Sequence, residues 1–212
     1  MQHEAVIATR SAYEADAATW ASRRQDRTYW SARVASFAEA VRKSGVPGPV
    51  LDLGCGPGVG TAELAAAGLE VVGLDVTRAM LEIAITQPGV RDLVQGDSRL
   101  LPLAGGGFAA VWASASLLHL PKSQAGPALA EVARVLRRGG CFYSSMKEGD
   151  REGLDSPGAA SDVKGSRYFA HYRRQEWPEK LAGAGFSVLE QHIEADARAG
   201  YPDWIVTVAV KL

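Results

Sequence analysis

The chain holds 212 residues, 47% of them hydrophobic and 22% charged, with a formal net charge of -1. This is an ordinary globular composition, long enough for one domain with a substantial core. The balanced charge gives no global pull toward nucleic acid or an anionic membrane, and no window reaches the ~20 apolar residues that span a bilayer. Cys55 and Cys141, the two cysteines, sit far apart in contexts unlike a disulfide framework or a metal site. No basic start followed by an apolar run opens the chain, so no signal peptide is expected, and a cytoplasmic protein is.

In chain order, an Ala-rich stretch from Ala5 to Arg24 and a second from Tyr29 to Ser44 predict helices. Gly45, Pro47, Gly48 and Pro49 end the second. Val50 to Leu53 is then a short apolar run closed by glycine, as in a buried strand. Thr61 to Ala67 predicts a helix and Glu70 to Leu74 a strand that ends at Asp75. Thr77 is placed to cap a helix running to about Thr86. Val90 to Gln95 and Phe108 to Ala113 predict two more strands. Ser123 to Leu136 predicts a helix, which Arg137-Arg138-Gly139-Gly140 would end with cations and glycines. Cys141 to Met146 predicts a fifth strand. Glu148 to Arg167 is polar and glycine-rich, either a mobile lid or an insertion. After a helix near Gln175 to Ala184, Phe186 to Ile193 and Trp204 to Val210 lie too close together for a helix between them. They predict an antiparallel hairpin.

Alternating strands and helices imply an α/β, doubly wound, mostly parallel sheet with right-handed crossovers. Within one domain over residues 1–212, the expected parts are an N-terminal helical cap (1–45), a cofactor-binding core (50–147), a possible lid (148–167), and a helix with the C-terminal hairpin (168–212).

The strongest local signal is VLDLGCGPGVG, from Val50 to Gly60. A buried strand feeds a glycine turn, and a helix begins behind it. Gly54, Gly56 and Gly58 let a ligand approach the backbone, and a helix N-terminus offers free N–H groups. Asp75, ending the next strand, is placed to accept ribose hydroxyls. A dinucleotide fingerprint needs its third glycine three residues after the second. That position is Val59 or Thr61, so NAD is disfavoured.

VLDLGCGPG, VVGLDVTRAMLEIA, LVQGDSRLLPL, FAAVWASASLLHL and EVARVLRRGGCFYSS together resemble the class I S-adenosylmethionine-dependent methyltransferases, in the branch of small single-domain enzymes. The resemblance covers about Val50 to Met146. It implies a seven-stranded sheet with an antiparallel C-terminal strand, S-adenosyl-L-methionine as cofactor and methyl transfer as activity. It also implies site roles. Gly54, Cys55, Gly56 and Gly58 would form the cofactor loop, and Asp52 would hold the amino end. Asp75 would take the ribose, with Val76 and Met80 against the adenine. Asp97 and the Ser98 N–H would meet the ring, and Ser114 would lie near the methionine amino group. Tyr13 and Arg24, on the first helix, would reach the cofactor carboxylate. Ala109 stands where the family often has an acid.

On the acceptor side, His119 at the rim is a candidate general base. Packing of a family histidine without catalytic duty is the alternative. Arg167, Tyr168, His171, Tyr172, Arg173 and Arg174 form a basic-aromatic cluster, either an acceptor clamp or a solvated helix start. Arg167 and Tyr172 are its candidate substrate-binding residues. The expected acceptor is an O or N atom of a small-molecule metabolite. A tRNA- or other RNA-modifying enzyme and a non-catalytic cofactor-binding protein are the alternatives. No metal and no membrane are expected, and the acceptor and oligomeric state are left open.

Overall fold

The computed structural model describes residues 2–23, 28–155, 164–197 and 200–212. Helix α1 (Gln2–Ser22) carries one non-helical residue, Asp16, and α2 (Thr28–Ser44) follows. Then come β1 (Val50–Leu53), α3 (Val59–Ala66), β2 (Val71–Asp75), α4 (Arg78–Ala84), β3 (Asp92–Gln95) and β4 (Phe108–Ser114). A 3-10 turn (Leu117–His119) leads to α5 (Lys122–Val135), β5 (Leu136–Glu148), β6 (Glu152–Asp155), β7 (Arg167–Tyr172), α6 (Glu176–Gly183), β8 (Phe186–Glu194) and β9 (Trp204–Lys211).

The central order is β3-β2-β1-β4-β5, all parallel, continued by antiparallel β9 and then β8. These seven strands are the expected sheet. A further hairpin, β6–β7, is added to it. Lys147 of β5 pairs with Trp204 of β9 and also with His171 of β7. The hairpin therefore lies on the β4 side, beyond the last β4 pair at Ser114↔Ser145.

The period of two along each central strand sorts side chains between two cores. Leu51, Leu53, Val111, Ala113 and Phe142 face the layer of α5 and α6. Val50, Ala110, Trp112, Cys141 and Tyr143 face α2 and α3, where Trp112 stacks on Tyr143 with ring centres 3.7 Å apart. Each large apolar side chain so buried contributes about 1.5–3 kcal/mol. The same alternation puts Asp52 on the α2/α3 face beside Trp112.

Three expectations need correction. Helix α5 stops at Val135, and Leu136 already begins β5. Arg137 to Gly140 form a bulge rather than a helix end, because β4 passes from Phe108 to Ala110 while β5 passes from Leu136 to Cys141. Gly140 is required there, since a Cβ would sit 2.7 Å from the Ala109 carbonyl oxygen. Arg167 to Tyr172 is a strand, not a helix start, and the described part of 148–167 includes β6. Thr77 occupies the N-cap position of α4 without a side-chain cap. Glu14 of α1 does that work, accepting from the Arg78 and Ala79 N–H groups at 3.2 and 3.1 Å.

Among the described residues no helix is long and apolar enough to cross a membrane.

Candidate active site

The cleft forms where β1, β2 and β4 end and their connections splay, with α1 laid across it. This is where parallel sheets place ligands. The loop after β1 runs through Gly54, Gly56 and Gly58 with φ of +78°, +52° and +80°. These values are in the left-handed region, which glycine enters without a Cβ penalty. A Cβ on Gly54 would sit 2.3 Å from the Ser116 Cβ, and one on Gly58 would sit 2.8 Å from Ala84. Gly54 thus permits close packing of the β1 and β4 loops, and Gly58 seats α3 against α4. Among the described residues, and apart from Gly56 and its two chain neighbours, no atom lies within 4 Å of where a Cβ on Gly56 would be.

Asp75 ties the loop to the second strand. Its two oxygens accept the Gly56 N–H at 2.9 Å and the Thr77 N–H at 2.8 Å. Burial raises its carboxyl above the usual range against those bonds. Asp52 is buried deeper, with Thr61 of α3 donating to it at 2.6 Å. Burial pushes its carboxyl up to about 7, and the nearby Asp75 charge adds to this. Cys55 is held as an inert thiol, because burial and the two acids raise it well above the ordinary cysteine value.

At the other end, Val76, Met80, Gly96, Asp97 and Ser98 line the wall. Partial burial works to raise Asp97, but Arg99 outweighs it and holds the carboxyl low. Arg99 gives Asp97 its backbone N–H at 2.9 Å and its guanidinium at 2.6 Å. The Asp97 carboxylate is therefore already engaged by Arg99.

Beyond β4, Ala115 has a positive φ of 52°, uncommon for a residue with a Cβ. Its N–H donates to Ser145 Oγ at 2.9 Å, and Ser114 Oγ lies 3.3 Å from the same atom. Ser116 Oγ is buried, lines the cleft and has no partner among the described residues. Such an orphan normally marks a place for a ligand or water.

From α1, Val6, Thr9, Arg10, Tyr13 and Trp20 face the cleft. Tyr13 Oη lies 2.9 Å from His119 Nε2, while His119 Nδ1 lies 2.8 Å from the Tyr168 carbonyl oxygen. Burial lowers His119 to about 4, so it is neutral near pH 7 and a poor general base. Arg167 stands behind Tyr13, its guanidinium 5.6 Å from the Tyr13 ring centre and 5.5 Å from that of Trp20.

The cleft thus gathers Tyr13, Asp52, Gly54, Cys55, Gly56, Asp75, Val76, Met80, Asp97, Ser98, Ser114 and His119. Gly58 supports the loop from outside the lining. Tyr172 is fully buried against Trp177, 4.9 Å between ring centres, and does not reach the cleft. Arg24 lies outside the described residues. Sequence reasoning missed Ser116 and Thr9. It also missed three tryptophans, Trp30, Trp112 and Trp204, which with Trp20 put four of the five tryptophans in the cleft wall. Trp30 and Trp112 converge on Gly60 in space, but the four indoles are scattered along the chain at 20, 30, 112 and 204 and gave no local signal.

The fold and cleft define the class, a Rossmann-like methyltransferase fold. Residues 50–140 match the family described as a methyltransferase domain, which supports the resemblance of this stretch to the class I S-adenosylmethionine-dependent methyltransferases. It is 42% identical over 116 residues to a demethylmenaquinone methyltransferase of Corynebacterium kroppenstedtii, covering 51% of this chain and 49% of that one. It is 33% identical over 119 residues to a malonyl-[acyl-carrier protein] O-methyltransferase of Pseudescherichia vulneris, covering 56% and 47%. The chain thus spans less than half the length of these two relatives. Among solved structures, the 1,6-didemethyltoxoflavin-N1-methyltransferase of Burkholderia thailandensis superposes with a TM-score of 0.75 at 22% identity, covering all of this chain and 90% of that one.

The residues fit the family's cofactor. The orphaned Ser116 Oγ, the bare backbone at Gly56 and the acid at Asp75 offer what an amino-acid-linked nucleoside needs. Among the described residues no cluster of His, Cys, Asp or Glu could hold a metal ion.

Proposed function

We propose that the chain binds S-adenosyl-L-methionine and transfers its methyl group to an O or N atom of a small molecule. The observation that carries this reading is Asp75, fixed by the Gly56 and Thr77 N–H groups at the edge of a glycine loop. So fixed, its free lone pairs suit a ribose diol. In this reading Gly54, Gly56 and Ser116 border the methionine portion. Asp52 attracts the amino group, and Ser114 stands near it. Val76 and Met80 sandwich the adenine, whose edge meets Asp97 and the Ser98 N–H.

The bound cofactor supplies an electrophilic sulfonium methyl group. The chain's residues have to align the acceptor and keep water out. The indole wall and the α1 cover serve both ends. His119, lowered to about 4 by burial, is a weak base for an acceptor proton.

The named relatives act on a carrier-bound malonyl group, a demethylmenaquinone and a didemethyltoxoflavin. The aromatic cleft supports a similarly small acceptor here. An RNA acceptor is less well supported. Arg174 is paired with Glu148 at 2.5 Å and Arg173 with Asp150 at 3.7 Å, so the basic run is locally neutralised.

Calorimetric titration with S-adenosylmethionine and S-adenosylhomocysteine, with NAD as control, tests the reading. Binding of the first two alone is expected. Binding of neither would end it.

A further inference from the structure

Strand β3 ends at Gln95, in register with Asp75, and the Gly96 N–H donates to the Asp75 carbonyl at 3.0 Å. The chain then closes a tight turn, with the Leu100 N–H donating to the Asp97 carbonyl at 3.0 Å. Asp97 and Ser98 enter the cleft wall, while Arg99 is not among the residues that line it. Arg99 bears on the Asp97 carboxylate from outside that lining. Its backbone N–H reaches Oδ1 at 2.9 Å, its Nε–H is shared between Oδ1 at 3.0 Å and Oδ2 at 3.2 Å, and its Nη2–H reaches Oδ2 at 2.6 Å. An ionised carboxylate has about four lone-pair sites, so these three N–H groups leave about one for a ligand. Partial burial works to raise the carboxyl, and Arg99, helped by Arg10 of α1, holds it low.

We infer that Arg99 is a positioning residue that makes Asp97 select a 6-amino over a 6-oxo purine at the nucleoside end of the cleft. This deepens the proposed function and rests on its placement of the adenine edge at Asp97. The guanidinium fork fixes both carboxylate oxygens, and a carboxylate so held can only accept. An adenine amino group gives it a proton. A 6-oxo ring brings an oxygen with no proton to give, and two oxygens then face each other unpaired in a partly buried wall. With the guanidinium gone, burial is opposed less. The carboxyl then takes up a proton more readily and can donate to a 6-oxo group.

Calorimetric titration of the full-length protein with S-adenosylhomocysteine and with S-inosylhomocysteine, its 6-oxo counterpart, tests this. The parent should prefer the amino compound by about tenfold or more, with the same ratio at pH 8 and pH 5.5. In Arg99→Met the ratio should fall by about fivefold or more, and further at pH 5.5 than at pH 8. Asp52 titrates across the same window, but it acts on both compounds alike and drops out of the ratio. Arg99→Lys keeps a cation beside Asp97 without the fork and should recover part of the preference. A lysine variant as unselective as the methionine one overturns the inference.

Arg99→Met binding both compounds more weakly but in the parent's ratio would reduce Arg99 to a structural role and overturn the inference. A parent that binds the two compounds equally would also overturn it, with the cofactor reading left intact. A parent that binds neither removes the proposed function itself, and this inference with it.

Discussion

Asp52→Asn should make the ligand-free protein more stable at high pH, by an amount that follows the titration of one carboxyl. Asp52 is 3% exposed and its carboxyl is pushed up to about 7. Below pH ~4 the acid is protonated folded or unfolded. Between pH ~4 and ~7 the unfolded chain releases the proton while the folded chain keeps it, so rising pH lowers stability. Above pH ~7 the cost is complete. From pH 5 to pH 8.5 the change is about two pH units of linkage at ~1.4 kcal/mol each, or roughly 2–3 kcal/mol. Asparagine keeps the oxygen that Thr61 bonds and has no titration. The stability gap between variant and parent should therefore widen by about 2–3 kcal/mol across that range. For a chain of this length, that is a widening of roughly 4–12 °C in the Tm difference. Urea melts of both proteins at pH 5 and 8.5 measure it. A gap constant with pH would show that Asp52 ionises freely in the cleft, and the burial argument would fail.

Asp75→Ala removes the partner of the Gly56 and Thr77 N–H groups, and the affinity for S-adenosylhomocysteine should fall at least tenfold; calorimetry giving the parent Kd would sink the ribose assignment. Glu14→Ala uncaps α4 across the contact with α1 and should cost about 1 kcal/mol, a drop of roughly 2–4 °C in Tm; an unchanged melt would mean the cap is idle. Cys55, whose thiol burial raises well above the ordinary value, should resist iodoacetamide at pH 8 in the native protein and react after unfolding. Mass spectrometry finding native Cys55 carboxymethylated would contradict that environment.

What the sequence made legible was local. Val50 to Leu53 is an unbroken apolar run apart from Asp52, and the spacing from Gly54 to Asp75 survives in three dimensions because both end neighbouring parallel strands. The gap between Ile193 and Trp204 is short enough to force the antiparallel hairpin. Contacts that depend on distant chain were not legible. Tyr13 and His119 are 106 residues apart, and the orphan at Ser116 is visible only once Gly54 is packed against it. Arg137 to Gly140 reads as a helix end because cations and glycines suit both that and a bulge. Neighbouring β4 decides between them. Arg167 to Tyr172 alternates weakly, and its pairing partners at β5 and β6 make it a strand. Glu14 could displace the Thr77 side chain as cap only because α1 crosses α4.

The β6–β7 hairpin meets the parallel sheet through two residue pairs, Lys147↔His171 and Glu148↔Tyr172, in the place β4 has vacated. Its other attachments run to α1, where the Tyr168 N–H donates to Thr9 at 2.8 Å and the Lys164 N–H to Asp16 at 2.6 Å, to His119, to α5 through the Lys122 N–H that donates to Glu152 at 2.8 Å, and to α6 through Tyr172 against Trp177. Among the described residues, none of its backbone bonds touches the glycine loop or the end of β2. The hairpin is thus joined to the sheet by a short pairing and anchored in the core by Ala170 and Tyr172. Residues away from these anchors can be exchanged while the register of the parallel strands stays fixed. Such an exchange would redraw the rim that meets the methyl acceptor and leave the cradle beneath unaltered.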